Sequence, residues 1–143
     1  MSWHFPLPLR GEVLDNGWTF LLLEPFVYRD RKINGEFTDE EHPQADTVEI
    51  TVPADFVTDF NSVPPGFWNI FPKWEYPEAG VVHDYLYRFR PDGMSREAAD
   101  QIHRRILEIK GCPAWKQWTA YSMLRAWGWI AWRRGGEFVT RLP

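Results

Sequence analysis

The hydrophobic period of this chain changes once along its length, and that change constrains the fold. Up to about residue 56 the apolar residues alternate or gather in short β-branched and aromatic runs; from about residue 76 they recur at helical spacing. Between the two lies a stretch punctuated by Pro53, Pro64, Pro65, Pro72 and Pro77, and proline suits neither a central strand nor a helix interior. A chain whose strands precede its helices lacks the alternation of a parallel sheet. The expectation is therefore an α+β fold, with N-terminal antiparallel β-strands packed on about three C-terminal α-helices. At 143 residues one domain with a genuine core is expected, mainly β over 1–56, a Pro-rich loop and short helix over 57–75, and helical over 76–143.

Residues 18–30, rich in aromatic and aliphatic side chains and broken by Pro25, suit strands with an irregularity. Residues 31–46 are polar and acidic, with Gly35 and Pro43 as breakers, and read as an exposed loop or hairpin tip. Residues 47–52 (TVEITV) alternate like a strand with one buried face, and Pro53 stops them. Ser62 as N-cap and Pro64 near N1 predict a short helical turn before Pro72. Over 77–90, Ala79, Val82, His83, Leu86 and Phe89 fall close to one helix face. Asp92-Gly93 marks a turn, Ser95 caps a second helix ended by Gly111 and Pro113, and a third is expected from about 114 to 133.

The formal net charge of −4 hides an asymmetry: residues 1–100 hold 8 Lys/Arg against 18 Asp/Glu, and residues 101–143 hold 8 against 2. Either the halves neutralise each other within the fold, or the basic tail meets an anionic partner. The single cysteine, Cys112, excludes an internal disulfide framework and a multi-thiolate zinc site. The N-terminus lacks the pattern of a signal peptide, and no run is long enough to span a membrane. Synthesis and folding in the cytosol are expected.

One segment looks like chemistry. His83 and Asp84 are adjacent in the first helix, and Asp100 lies on the second. A neutral imidazole can act as base toward a water, a carboxylate beside it can hold a cation, and a second carboxylate can fix the tautomer of the ring. The alternative is structural: His83 packs with Tyr87, Asp84 pairs with Arg88, and Asp100 pairs with Arg104 on the surface. Helical-wheel geometry leaves both open, because the main apolar arc of the second helix (Ala98, Ile102, Ile106, Ile109) lies nearly opposite Asp100, while His103 and Leu107 flank it.

The runs FVTDFNSVP at 56–64 and VVHDYLY at 81–87, followed by Ser95 and Ala99-Asp100, resemble the phage and prophage proteins grouped as domain-of-unknown-function family 1353, over roughly residues 50–130. That resemblance implies a phage or prophage origin and no particular activity. More distantly, His83-Asp84-x-x-Tyr87 with the later Asp100 is similar to secreted and viral phospholipases A2. This likeness implies His83 as the base for water, Asp100 as its orienting carboxylate, Tyr87 as a supporting hydrogen-bond donor, and Asp84 as a calcium ligand. The chain departs from the phospholipase pattern where the Gly-rich calcium loop belongs. There it reads PPGFWNIF at 64–71, with only Gly66 left. Asp59, with Asn61 and Ser62, offers oxygen ligands in its place, and the same side chains also suit a hydrogen-bonded Pro-rich turn.

No Gly-rich phosphate loop, Cys-x-x-Cys or Gly-x-Ser-x-Gly element is present. Nor is specific nucleic-acid binding indicated. The third helix carries Trp115, Trp118, Trp127, Trp129 and Trp132 around its circumference among Lys116, Arg125, Arg133 and Arg134. It reads as a central core helix, or as a surface for self-association, for other phage proteins or for a membrane surface. Two expectations follow: a metal-dependent ester hydrolase, with calcium as the candidate cation, catalytic His83, Asp100 and Tyr87 and metal ligands Asp84 and Asp59, or a non-enzymatic virion, tail or assembly component in which the same network is structural.

Overall fold

The computed structural model describes residues 2–15, 17, 19–58, 72 and 75–141, with 135–141 as backbone alone. The chain divides into two compact units, Met1–Val57 and Thr58–Pro143. Strands come first and helices last, the α+β order read from the sequence.

The N-terminal unit holds β1 (Gly11–Val13), β2 (Phe20–Leu22), β3 (Phe26–Ile33), β4 (Glu36–Thr38) and β5 (Asp46–Val52), with β6 (Val57–Thr58) at its boundary. They form two three-stranded sheets, ordered β1-β2-β6 and β4-β3-β5. The β3–β5 ladder is antiparallel, setting Phe26 opposite Val52, Tyr28 opposite Ile50 and Asp30 opposite Val48. Phe26, Tyr28, Ile50 and Val52 all point inward and are buried with Phe5, Leu22 and Phe56; the period of two places them on one face. Asp30 shares that face, and its carboxylate accepts from the Tyr28 hydroxyl and from Arg31 N–H at 2.8 Å.

Residues 31–46, expected as loop or hairpin tip, contain more strand than that reading allowed. β3 runs on to Ile33, and Asn34 and Gly35, both at positive φ (54° and 80°), turn the chain into β4. A two-residue Asn-Gly loop with both residues left-handed matches the right-handed twist of the flanking strands.

The C-terminal unit holds α1 (Pro77–Phe89), α2 (Arg96–Ile109) and α3 (Ala114–Arg141). Proline at the start of α1 gives up an N–H with no intrahelical partner, and Arg90 closes that helix in the left-handed region at φ 45°. Ser95 caps α2 by accepting from Ala98 N–H at 3.1 Å. Gly111 at φ 82° then reverses the chain, and Gln117 donates to the Cys112 carbonyl at 2.8 Å, tying the turn to the first coil of α3. All three helix pairs are in contact. Their shared core is Val82, Leu86, Tyr87, Ala99, Ile102, Ile106, Leu107, Ala120, Met123 and Leu124.

Two expectations about the helices change. The third helix is longer than 114–133, reaching Arg141. It is not buried on every side either: Trp115, Trp118, Trp127 and Trp129 are between 47% and 64% exposed, so their aromatic area faces outward. The short helical turn anticipated after Ser62 lies outside the described residues.

Candidate functional site

The site is assembled by all three helices of the C-terminal unit around one carboxylate. Asp100 on α2 is fully buried. Its Oδ1 accepts from His83 Nε2 at 2.9 Å and from the Tyr87 hydroxyl, both on α1. Its Oδ2 accepts from an Arg125 guanidinium nitrogen on α3 at 2.8 Å and lies 3.8 Å from Arg96, one turn earlier on α2. A buried charge is tolerated only when paired and hydrogen-bonded, and both oxygens of Asp100 are engaged.

The spacing explains the convergence. His83 and Tyr87 stand four residues apart on one face of α1, and their rings pack at a tilt of 42° with 4.0 Å between centroids. Arg96 sits four residues before Asp100; it also donates to the α3 carbonyls of Leu124 at 2.8 Å and Arg125 at 3.3 Å. Gly128 lets α3 approach this closely, since a Cβ there would lie 2.5 Å from the Tyr87 hydroxyl and 3.1 Å from Arg96. Arg90 adds a second tie by stacking on Trp132 at 3.6 Å, and Trp132 meets Tyr87 edge-on at 5.2 Å.

The electrostatics follow from these contacts. Burial alone would raise the Asp100 pKa; the bonds from His83, then Tyr87 and Arg125, outweigh it and hold the carboxyl below its ordinary value. Burial, and then the neighbouring Asp100 charge, push the Tyr87 phenol far above its usual value, so it stays a donor. An ionised carboxylate only accepts. His83 Nε2 must therefore carry the proton, and in the neutral ring Nδ1 is the basic nitrogen. That is the arrangement of a general base oriented by a carboxylate.

A second imidazole stands beside the first. The His103 ring lies 5.1 Å from that of His83, edge to face. Part of the residue is exposed, yet its Nδ1 is buried and has no hydrogen-bond partner among the described residues. Burial, and then proximity to His83, hold its pKa at about 3, so the ring is neutral at physiological pH.

The structure thus brings together His83, Tyr87 and Asp100, and Asp100 does not pair with Arg104 on the surface. Arg104 instead lies 3.6 Å from Glu108 and donates to Gln117 at 3.3 Å. The main apolar arc drawn from the wheel is also displaced: Ala98 and Ile109 are only part-buried, while Ala99 and Leu107 join the core. Asp84 is mostly buried, with Arg88 at 3.1 Å. Asp59, Asn61, Ser62 and Gly66 lie outside the described residues.

Calcium requires six to eight oxygen ligands. Asp84 Oδ2 lies 3.1 Å from Arg88 and is buried, and no group of three or more His, Cys, Asp or Glu side chains is gathered for a metal among the described residues.

Arg125, Arg96 and Gly128 were not singled out as site residues from the sequence. Arg96 had a signal in its spacing of four from Asp100. Arg125 and Gly128 had none, because only the packing of α3 brings them close.

The profile of a family described as Protein of unknown function (DUF1353) matches residues 20–124. The chain belongs to this family. The match begins before the motifs at 56–64 and 81–87, taking in β2 to β5, and ends within α3, so it spans His83, Asp100 and the Arg96 contact to Leu124. No curated protein and no solved structure matches the chain.

Proposed function

We propose that His83 and Asp100 form a water-activating dyad in a small phage- or prophage-encoded ester hydrolase acting on phospholipid-like substrates. The observation that carries this reading is the engagement of the Asp100 carboxylate by His83, Tyr87 and Arg125 together, which supports a fixed tautomer of the His83 ring. In the proposed reaction Nδ1 takes a proton from water as the water oxygen attacks the ester carbonyl. The imidazolium, stabilised by Asp100, then returns that proton to the departing alkoxide, giving carboxylic acid and alcohol. The motifs at 56–64 and 81–87 support the phage origin, with synthesis in the host cytoplasm and a place in the virion as its corollaries.

A second reading is favoured by one specific observation: His83 has no exposed surface. On that reading the network is a buried polar pin that fixes the three-helix packing of a virion, tail or assembly component. Incubating the full-length protein with a chromogenic short-chain ester and with phospholipid micelles, with calcium and with a chelator, separates the two. The hydrolase reading expects turnover of at least one substrate; absence of turnover on both, in either condition, leaves the structural reading.

A further inference from the structure

The outward side of α3 is aromatic, and the helix is basic: from 114 to 141 it carries five Lys/Arg against Glu137 alone. Trp115, Trp118, Trp129 and Ile130 are between 40% and 64% exposed, and at about 100° per residue they fall on one face with Thr119, Ser122, Ala126 and Arg133. A groove of about 560 Å³ runs along it, lined by Trp118, Thr119, Ser122, Met123, Ala126 and Trp127. From 114 to 134 the helix carries Lys116, Arg125, Arg133 and Arg134 and no Asp or Glu. Lys116 is held by Glu75 and Arg125 by Asp100; the exposed Arg133 lies on this face and the exposed Arg134 at its edge. Guanidiniums also flank the indoles, Arg104 at 4.6 Å from the Trp118 ring centre and Arg133 at 5.9 Å from that of Trp129.

We propose that this face of α3 docks on an anionic phospholipid surface, with the indoles at headgroup depth and Arg133 and Arg134 against the phosphates. Indole suits that boundary because its ring is apolar and its N–H needs a polar partner. Charge complementarity selects the anionic lipid over a second copy of this chain. A two-fold interface sets the same patch on both sides; with five Lys/Arg against Glu137 alone from 114 to 141, two copies would bring like charge together. The helix lies on the surface rather than across it, since no helix among the described residues is long and apolar enough to cross a membrane. Binding is separable from catalysis, and the inference stands apart from the hydrolase reading.

The test uses the full chain with vesicles of ether-linked phosphatidylglycerol or ether-linked phosphatidylcholine, which carry no cleavable ester. The expected result is co-flotation with the anionic vesicles and a blue shift of Trp emission, weakened by salt and absent with phosphatidylcholine. The double variant Arg133→Gln with Arg134→Gln should bind about tenfold more weakly or worse, as expected for the loss of two interfacial cations. Trp118→Ala with Trp129→Ala should lose the spectral shift, and if that pair does not fold, the arginine pair decides. Equal binding to both lipids, no binding to the anionic one, or a dimer in solution dispersed by the same variants would overturn the proposal. His83→Asn should float like the parent chain, and a parent chain that binds these vesicles but turns over no ester retires only the hydrolase reading.

Discussion

Gly128 on α3 faces the Tyr87 hydroxyl on α1 so closely that a Cβ at 128 would stand 2.5 Å from that oxygen. Overpacking of this kind costs about 1–3 kcal/mol, and the better helix propensity of alanine returns up to about 1. With that return in full, Gly128→Ala is expected to destabilise by up to about 2 kcal/mol in chemical denaturation. In a Tyr87→Phe background the obstructing oxygen is gone, and the same change should be neutral or stabilising. Additive effects of the two substitutions would show that they do not meet.

Asp100→Asn keeps the shape of the side chain and removes its charge, leaving Arg125 and Arg96 beside a neutral amide. Breaking one side of a buried ion pair costs about 3–5 kcal/mol. The variant should lose about 3 kcal/mol, and adding Arg125→Met should recover part of it. Thermal and urea unfolding of the two variants measure this; a loss below about 0.5 kcal/mol would mean that the carboxylate does not hold the three helices together.

The order of the elements was legible because period and prolines are local properties. Pro25 marked the break between β2 and β3, and Ser95 capped α2 as read. The site was legible in part: adjacent His83 and Asp84, with Tyr87 four residues on, mark a helix face, but which flank of α2 meets that face is a packing fact. Asp100 lay opposite the apolar arc on the wheel and is nonetheless fully buried, because four polar contacts make its burial tolerable. The outward tryptophans were ambiguous for the converse reason, since a helix aromatic on all sides does not say which side finds partners. The β3–β4 hairpin carried a strong local signal in Asn34-Gly35 that the polar, acidic composition around it obscured.

His103 makes stability depend on pH in a window of its own. Its folded pKa is depressed to about 3 from an ordinary 6.5, so the unfolded chain binds the proton more readily. Stability from this group is complete above about 6.5 and falls as pH drops toward 3, by at most about 1.4 kcal/mol per pH unit and less where solvent screens the exposed part of the residue. Asp100 is also depressed, from an ordinary 3.8; its contribution is lost only as pH falls below that value, so the range from 4 to 6.5 separates His103 from Asp100. Urea unfolding across that range should show His103→Gln with a shallower pH slope than the parent chain. Parallel slopes would place His103 in contact with solvent.

The most direct measurement compares ester turnover and melting temperature for the parent chain, His83→Asn and Asp100→Asn. If His83 is the base and Asp100 its positioning carboxylate, His83→Asn should melt near the parent and lose turnover by about 10²-fold or more. Asp100→Asn should lose turnover too, beyond what its lower melting point explains at a temperature where both remain folded. Undiminished turnover in a folded His83→Asn protein would contradict the account.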